Sequence, residues 1–392
     1  MKFNYTTLLI VFLVGTLILI SPPFVMSADV GIVIKSFFLF VSTIFLLFSV
    51  SRKKRFFYFY FPFVVFLLFQ VVYWTAAGYF MEGIFFFLYI LLAICGLIGF
   101  DRLRGGKEIM IKLYFYLILI TSFFSILSFL TYNLGLLPYF LKLVGGDDGY
   151  VYYYFPFLGY INVKELESFA IGRVCYYFFE PSYLGFFLTT NFFLLHKLNR
   201  HKNVVFISKV VVFFGAMASM STMSWLVFAA VFGVSVFYRI FETLRISEKV
   251  VNFLLIFVFL LFYLFIPKDK LLEKLGPSSS DDREERASMS LLLVAGASPS
   301  DFVLGRSPAY IEKTLDKGES NQIIKMLVEN GVITTVLVLI FIIYCTRKSK
   351  LYMIALILFL NSAVILFTPL IIFNILICRW ADKPQISFSD DS

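Results

Sequence analysis

GRVCYYFFEPSYLGFF, residues 172–187, is aromatic and aliphatic almost throughout, yet it carries Arg173 and Glu180. The apolar residues are material for a lipid bilayer. The two charges are not, since a charge in hydrocarbon costs about 2.5–3.5 kcal/mol even on lenient insertion scales. They belong at a membrane boundary, and an ionisable group in such a place marks a functional site by default.

The composition agrees with a bilayer environment. Hydrophobic residues make up 60% of the 392, with 52 Phe, and charged residues only 15%, against about 25% in a soluble domain. Apolar runs of spanning length fall near 6–25, 30–50, 56–75, 83–100, 110–132, 174–195, 203–220, 222–240, 249–267 and 322–345. A last run, 351–377, contains Pro369 and reads as one tilted helix or a short hairpin. The expectation is an all-α integral membrane bundle of about 11 or 12 transmembrane helices, a single domain over 1–392. Residues 6–25 follow Lys2, and Met26-Ser27-Ala28 matches a signal cleavage site poorly, so this run reads as an uncleaved first helix.

Orientation follows from Lys and Arg. The basic segments near 51–55, 101–112, 196–203, 238–249 and 345–350 hold only four acids, Asp101, Glu108, Glu242 and Glu248. They are assigned to the cytoplasm. The net charge of +9 is thus a matter of topology rather than of a nucleic-acid partner. Two long segments, 133–172 and 268–320, fall on the outer side, and connections of that length tend to be functional. In the second, Asp281 or Asp282 is placed to cap a short surface helix that ends at Gly296.

The unusual polar residues collect at this outer face: Arg173, Glu180, Arg283, Arg286, Arg306, Glu319, Asn321 and Glu329. A secondary transporter would place its site near the midplane instead. Guanidinium groups pair bidentately with phosphate oxygens and stay charged, so a lipid diphosphate is the ligand type they suit. Plainer roles stand beside these: Arg173 snorkelling to headgroups, Glu180 paired with Arg173 or stabilising a helix N-terminus, and the DDREER run at 281–286 as a solvated helix face. The cluster Tyr150, Tyr152, Tyr153, Tyr154 and Phe155 reads as an interfacial belt, with Tyr153 a candidate for stacking on a sugar. The two histidines, His196 and His201, share one basic segment, and the four cysteines are scattered. Asp147-Asp148 and Asp281-Asp282 lack a third ligand, so neither a metal nor a cofactor is expected.

The order of these elements resembles the oligosaccharide repeat-unit polymerases of surface polysaccharide synthesis, the Wzy family, related to the O-antigen ligases. Gly172-Arg173 precedes Phe179-Glu180-Pro181-Ser182-Tyr183-Leu184-Gly185, then comes the serine-rich junction Ser219-Met220-Ser221-Thr222-Met223-Ser224. Leu304-Gly305-Arg306 and Asn321 through Glu329-Asn330-Gly331 follow. The ligases resemble His-[Asn/Ser/Gln]-x9-Gly-x2-[Gly/Thr/Tyr]; here Asn321, Gly331 and Thr334 fit, but Ser320 stands where the histidine would be.

The resemblance implies a GT-C-related glycosyltransferase of the bacterial inner membrane, multi-pass, with its active site facing the periplasm. It would polymerise undecaprenyl-diphosphate-linked oligosaccharide units beside membrane lipids, with a chain-length regulator protein as a further partner. Arg173, Arg283 and Arg286 would stabilise the diphosphate leaving group and Glu180 would orient or deprotonate the acceptor hydroxyl. Arg306, Asn321, Ser320, Glu329 and Tyr153 would bind substrate. A ligase-type transferase and a lipid-linked-glycan flippase are the alternatives. The topology is testable with single cysteines and an impermeant thiol reagent in intact cells: Ser279→Cys is expected to label and Asn199→Cys is not, and the reverse pattern would overturn the assignment.

Overall fold

Long runs of Phe, Leu, Ile and Val leave the backbone no competing partner and fold as helices. In chain order these are α1 (Lys54–Ala76), α2 (Phe80–Gly99), α3 (Gly106–Asn133), α4 (Pro181–Leu198), α5 (Lys202–Ala218) and α6 (Thr222–Thr243). They continue with the short α7 (Pro299–Leu304) and α8 (Tyr310–Leu315), then α9 (Gln322–Thr346), α10 (Lys350–Leu360) and α11 (Pro369–Ala381). The computed structural model describes residues 54–99, 106–145, 150–164, 172–178, 180–243, 288–290, 292–315, 321–360 and 369–381, with isolated positions between 31 and 44. The expected first helix at 6–25 and the run at 249–267 lie outside the described residues. The apolar stretch at 351–377 contains two helices, α10 and α11, the latter opening on Pro369.

The polarity of this bundle is inverted relative to a protein in water. On α1 the outward stripe is Val65, Leu68, Phe69 and Val72; on α9 it is Ile333, Val336, Ile340 and Ile343, all exposed. The interior holds Gln70, Ser122, Ser125, Thr189, Thr190, Asn191 and Asn374, all buried. Large apolar groups outside and polar groups between helices suit a lipid surround. Among the described residues, 107–133, 222–240 and 322–346 form helices long and apolar enough to cross a membrane. The chain is mostly helical and has the character of a membrane protein.

α4, which begins inside the quoted stretch, is the hub. It packs against α3, α5, α6, α10, α11 and the sheet described next, and Leu184 through Leu195 are all buried. Two close approaches set its neighbourhood. A Cβ at Gly185 would overlap Ser224 Oγ and come within 3.0 Å of Ser219 and Ser221. The serine-rich junction between α5 and α6 therefore lies directly on the first turn of α4. A Cβ at Gly215 would meet Ser122 Cα at 2.8 Å, so α5 and α3 touch through small residues, as membrane helices commonly do.

The basic segments gather at the far end of α4. Lys197 Nζ donates to the Lys348 carbonyl (2.8 Å), Arg379 Nη2 donates to Tyr344 Oη (3.2 Å), and Lys350 lies over the Tyr238 ring.

The expectation of an all-α chain needs one correction. The first long loop contains a four-stranded antiparallel sheet in the order β1 (Leu141–Gly145), β2 (Tyr150–Phe155), β3 (Gly159–Lys164) and β4 (Arg173–Tyr176). The runs YVYYYF and GYINVK are rich in aromatic and β-branched residues, and residues 156–158 turn the chain between them, with Leu158 N donating to Phe155 O (3.1 Å). Arg173 therefore sits on a strand rather than at a helix end, and the helix starts at Pro181, later than the apolar run at 174 suggests. Glu180 is the residue that precedes it, with extended backbone (φ −138°, ψ 153°) and Pro181 in the first turn.

The contact between Gly185 and the serines yields a test. Gly185→Val is expected to lower stability by roughly 1–3 kcal/mol through overpacking, read as a lower midpoint of thermal unfolding in detergent. Ser224→Ala on that background is expected to recover part of the loss, whereas no recovery would show that the clash lies elsewhere.

Candidate functional site

Two glycines bring the second loop onto α9. Within α9 the helix breaks at Gly331 (φ 73°, ψ 167°), a region closed to residues with a Cβ. Gly305, just past the end of α7, has φ 80°. Each glycine lies against the backbone around the other: a Cβ at Gly331 would overlap Val303 O, and one at Gly305 would overlap Glu329 O.

A broken helix leaves carbonyls without their usual donors, and at membrane depth every one must be satisfied. Three at the break take donors from outside the helix. Val328 O accepts from Arg306 N (3.0 Å) and Glu329 O from Ser307 N (3.1 Å). Asn330 O accepts from Gln70 Nε2 (2.7 Å). The same Gln70 Nε2 donates to Leu304 O (2.6 Å), and its Oε1 accepts from Thr334 Oγ1 (3.0 Å). Trp74 Nε1 donates to Gly305 O (3.1 Å).

Sequence reading missed Gln70, Tyr73 and Trp74, which it treated as part of a plain spanning run. The signal was present, because an amide in the middle of FLLFQVVYW needs a partner.

Around this crossing the charges are partnered. Arg306 Nε is 3.6 Å from Asp301 Oδ2, Nη1 donates to Tyr310 Oη (3.1 Å) and Nη2 to Gly296 O (3.1 Å), with the guanidinium over the Tyr310 ring. Partial burial pushes the Asp301 carboxyl up, but hydrogen bonds from Tyr73 and Ser298 and the Arg306 charge outweigh it and hold it below its usual value. Glu329 is buried and accepts from Ile311 N (3.2 Å), which seats α8. Lys325 bridges Glu312 at 2.6 Å and approaches Glu329 at 3.9 Å. Asn321 caps α9, its Oδ1 accepting from Ile323 N (3.0 Å) and Ile324 N (3.2 Å). In this arrangement Arg306, Asn321 and Glu329 hold the loop to the helix.

Arg173 and Glu180 differ from these. Both act electrostatically on Cys175, which lies between them in sequence and whose thiol is pushed up by burial. Among the described residues no ion pair joins them. Glu180 is exposed and its Oε2 accepts from Ser182 Oγ (2.9 Å). Arg173 is half-buried, and its Nε is enclosed with no acceptor. Tyr183, one turn into α4, is within electrostatic reach of both Glu180 and Glu312, so the two parts of the site meet at the start of α4. Tyr153 packs beside Tyr139 (4.9 Å between centroids) and Tyr132 (5.5 Å).

Arg283, Arg286 and Ser320 lie outside the described residues, as do Asp147-Asp148 and Asp281-Asp282. Among the described residues no three His, Cys, Asp or Glu side chains are grouped as metal ligands. No protein-family model, curated protein or solved structure matches the chain.

Gln70 offers a direct test of the crossing. Gln70→Leu keeps an apolar helix but strands two carbonyls, Leu304 O and Asn330 O, at roughly 1–3 kcal/mol for each lost donor. The expected result is a lower unfolding midpoint together with faster proteolysis of the 296–315 segment in nanodiscs; wild-type behaviour would show that the crossing does not depend on this amide.

Proposed function

We propose that this chain is a membrane glycosyltransferase that polymerises lipid-diphosphate-linked oligosaccharide units at the outer face of a bacterial cytoplasmic membrane. In this reading the bundle has about 11 or 12 spans and a GT-C-related architecture, and the donor is an undecaprenyl-diphosphate-linked glycan. The observation that carries it is the guanidinium of Arg173. Among the charged groups of the site, Arg173 has an enclosed donor with no acceptor among the described residues, while Arg306 is already committed to Asp301, Tyr310 and Gly296. A guanidinium with an enclosed, unpaired Nε at a membrane edge suits a phosphate oxygen.

The chemistry then divides between two residues. A hydroxyl of the acceptor unit attacks the anomeric carbon of the donor chain, and the bond from that carbon to the diphosphate oxygen breaks. The electron pair leaves with the diphosphate, whose negative charge Arg173 stabilises, the usual electrostatic term in such transfers. The hydroxyl proton passes to Glu180, which is exposed and held by Ser182 on one oxygen only. Arg283 and Arg286 would add positive charge from the second loop.

Substitutions in a strain lacking the chromosomal copy test this reading, with protein abundance measured in the membrane. Arg173→Ala is expected to abolish long polymer and leave single repeat units on lipid. Arg173→Lys is expected to rescue only part, because an ammonium lacks the two-point contact. Glu180→Gln is expected to lose most turnover at normal abundance. Long polymer that stays on lipid would favour the ligase alternative, units trapped on the inner leaflet the flippase, and normal polymer from stable variants would sink all three roles.

A further inference from the structure

The sheet has two unlike faces. Directly opposed residues of an antiparallel pair share a face, so Tyr153, Ile161 and Val174 form one row across β2, β3 and β4. That face is turned to the core: Ile161 and Val174 are fully buried. On the other face one row runs Tyr152, Asn162, Arg173, and the next runs Tyr154, Tyr160, Tyr176. Neighbouring rows lie about 7 Å apart, two residues along a strand.

The first of these rows is incomplete. Among the described residues, Asn162, 4% exposed, has no donor to its Oδ1, and Arg173 Nε, on the adjacent strand, has no acceptor. A buried polar atom left unpaired costs roughly 1–3 kcal/mol; this donor and this acceptor, on directly opposed residues, make no bond to each other, and a ligand carrying both an acceptor and a donor would satisfy the two together. The second row offers what lies beside them. The Tyr154 and Tyr160 rings are 4.9 Å apart, and Tyr177 lies within electrostatic reach of both. These rings have apolar faces and a polar rim, the pairing that a sugar ring, with C–H faces and hydroxyl edges, requires.

We propose that this face of the sheet is a subsite for a glycosyl phosphate. Arg173 donates to a phosphate oxygen, Asn162 Oδ1 accepts from the hydroxyl or amide N–H on the adjacent sugar carbon, and the tyrosine row carries the ring. The inference rests on the reading of Arg173 as a phosphate ligand and adds Asn162 as the residue that reads the sugar next to the phosphate. A bare phosphate satisfies Arg173 and leaves Asn162 orphaned, so selectivity for the glycosyl form comes from the amide.

The test uses the full chain in lipid nanodiscs and equilibrium dialysis against glucose 1-phosphate, 2-deoxyglucose 1-phosphate and inorganic phosphate. Wild type is expected to bind glucose 1-phosphate roughly tenfold more tightly than the 2-deoxy compound, the scale of one hydrogen bond in an enclosed site. Asn162→Ala and Asn162→Thr, the latter suited to a strand, are expected to bind the two sugar phosphates equally. Arg173→Ala is expected to weaken all three ligands. Equal binding of the two sugar phosphates by wild type, or a preference that survives both Asn162 substitutions, would overturn the subsite. A short-chain prenyl diphosphate glucose that binds more tightly than glucose 1-phosphate assigns the site to a lipid-linked ligand; equal affinity assigns it to a soluble sugar phosphate. Loss of the preference in Asn162→Thr with normal long polymer in cells keeps the subsite and removes the polymerase reading. Loss of polymer in Arg173→Ala without any sugar preference in wild type does the reverse.

Discussion

A helix that breaks inside a membrane protein exposes carbonyls that lipid cannot satisfy, and the end of the bundle that carries Gly331 is organised around that constraint. At Gly331 the break frees Val328, Glu329 and Asn330, and the donors come from two unrelated parts of the chain, the 303–307 backbone and Gln70 of α1. The long second loop is thus locked in register by the backbone itself, with two glycines admitting the approach. The side chains that sequence reading assigned to substrate are then drawn into the lock. Arg306 ties the loop to Asp301 and Gly296, Glu329 seats α8, and Asn321 starts the helix.

That lock changes the meaning of the outer charges. A row of arginines and carboxylates at a membrane edge looks uniform in a sequence, because nothing in the one-dimensional pattern separates a partnered guanidinium from a free one. The structure separates Arg306, with three partners, from Arg173, whose enclosed Nε has none among the described residues. The proposed chemistry therefore narrows to the sheet and the first turn of α4.

The described helices were legible because spanning length and apolarity are strong, local signals, and the start of α4 at Pro181 follows from proline chemistry. The pairing of motifs was not. Leu304-Gly305-Arg306 and Glu329-Asn330-Gly331 read as separate elements, yet they are two sides of one backbone contact; likewise Gly185 and Ser219–Ser224. Such contacts are set by close approach between distant segments, which no local pattern encodes. The sheet was a different kind of miss. Tyr150 to Phe155 and Gly159 to Lys164 carry ordinary strand signals, but a run of tyrosines beside a membrane also suits an interfacial belt, and that explanation displaced the hairpin. Asn162 went unnoticed because its importance lies only in its neighbour across the ladder.

The lock at Gly331 also divides the second loop by its tolerance for change. Residues 303–307 and 328–331 must keep their mutual register to the single peptide, since a one-residue slip would pair the wrong carbonyls and bring a Cβ where only hydrogen fits. The chain between them closes on itself like a clasp whose strap can vary. Lengthening that strap between α8 and α9 alters loop-closure entropy only slowly with added residues, so over evolutionary time the connection at 316–320 is free to drift in length and content while the crossing stays fixed. The surface presented there is thus open to repeated rebuilding without disturbing the bundle that supports it.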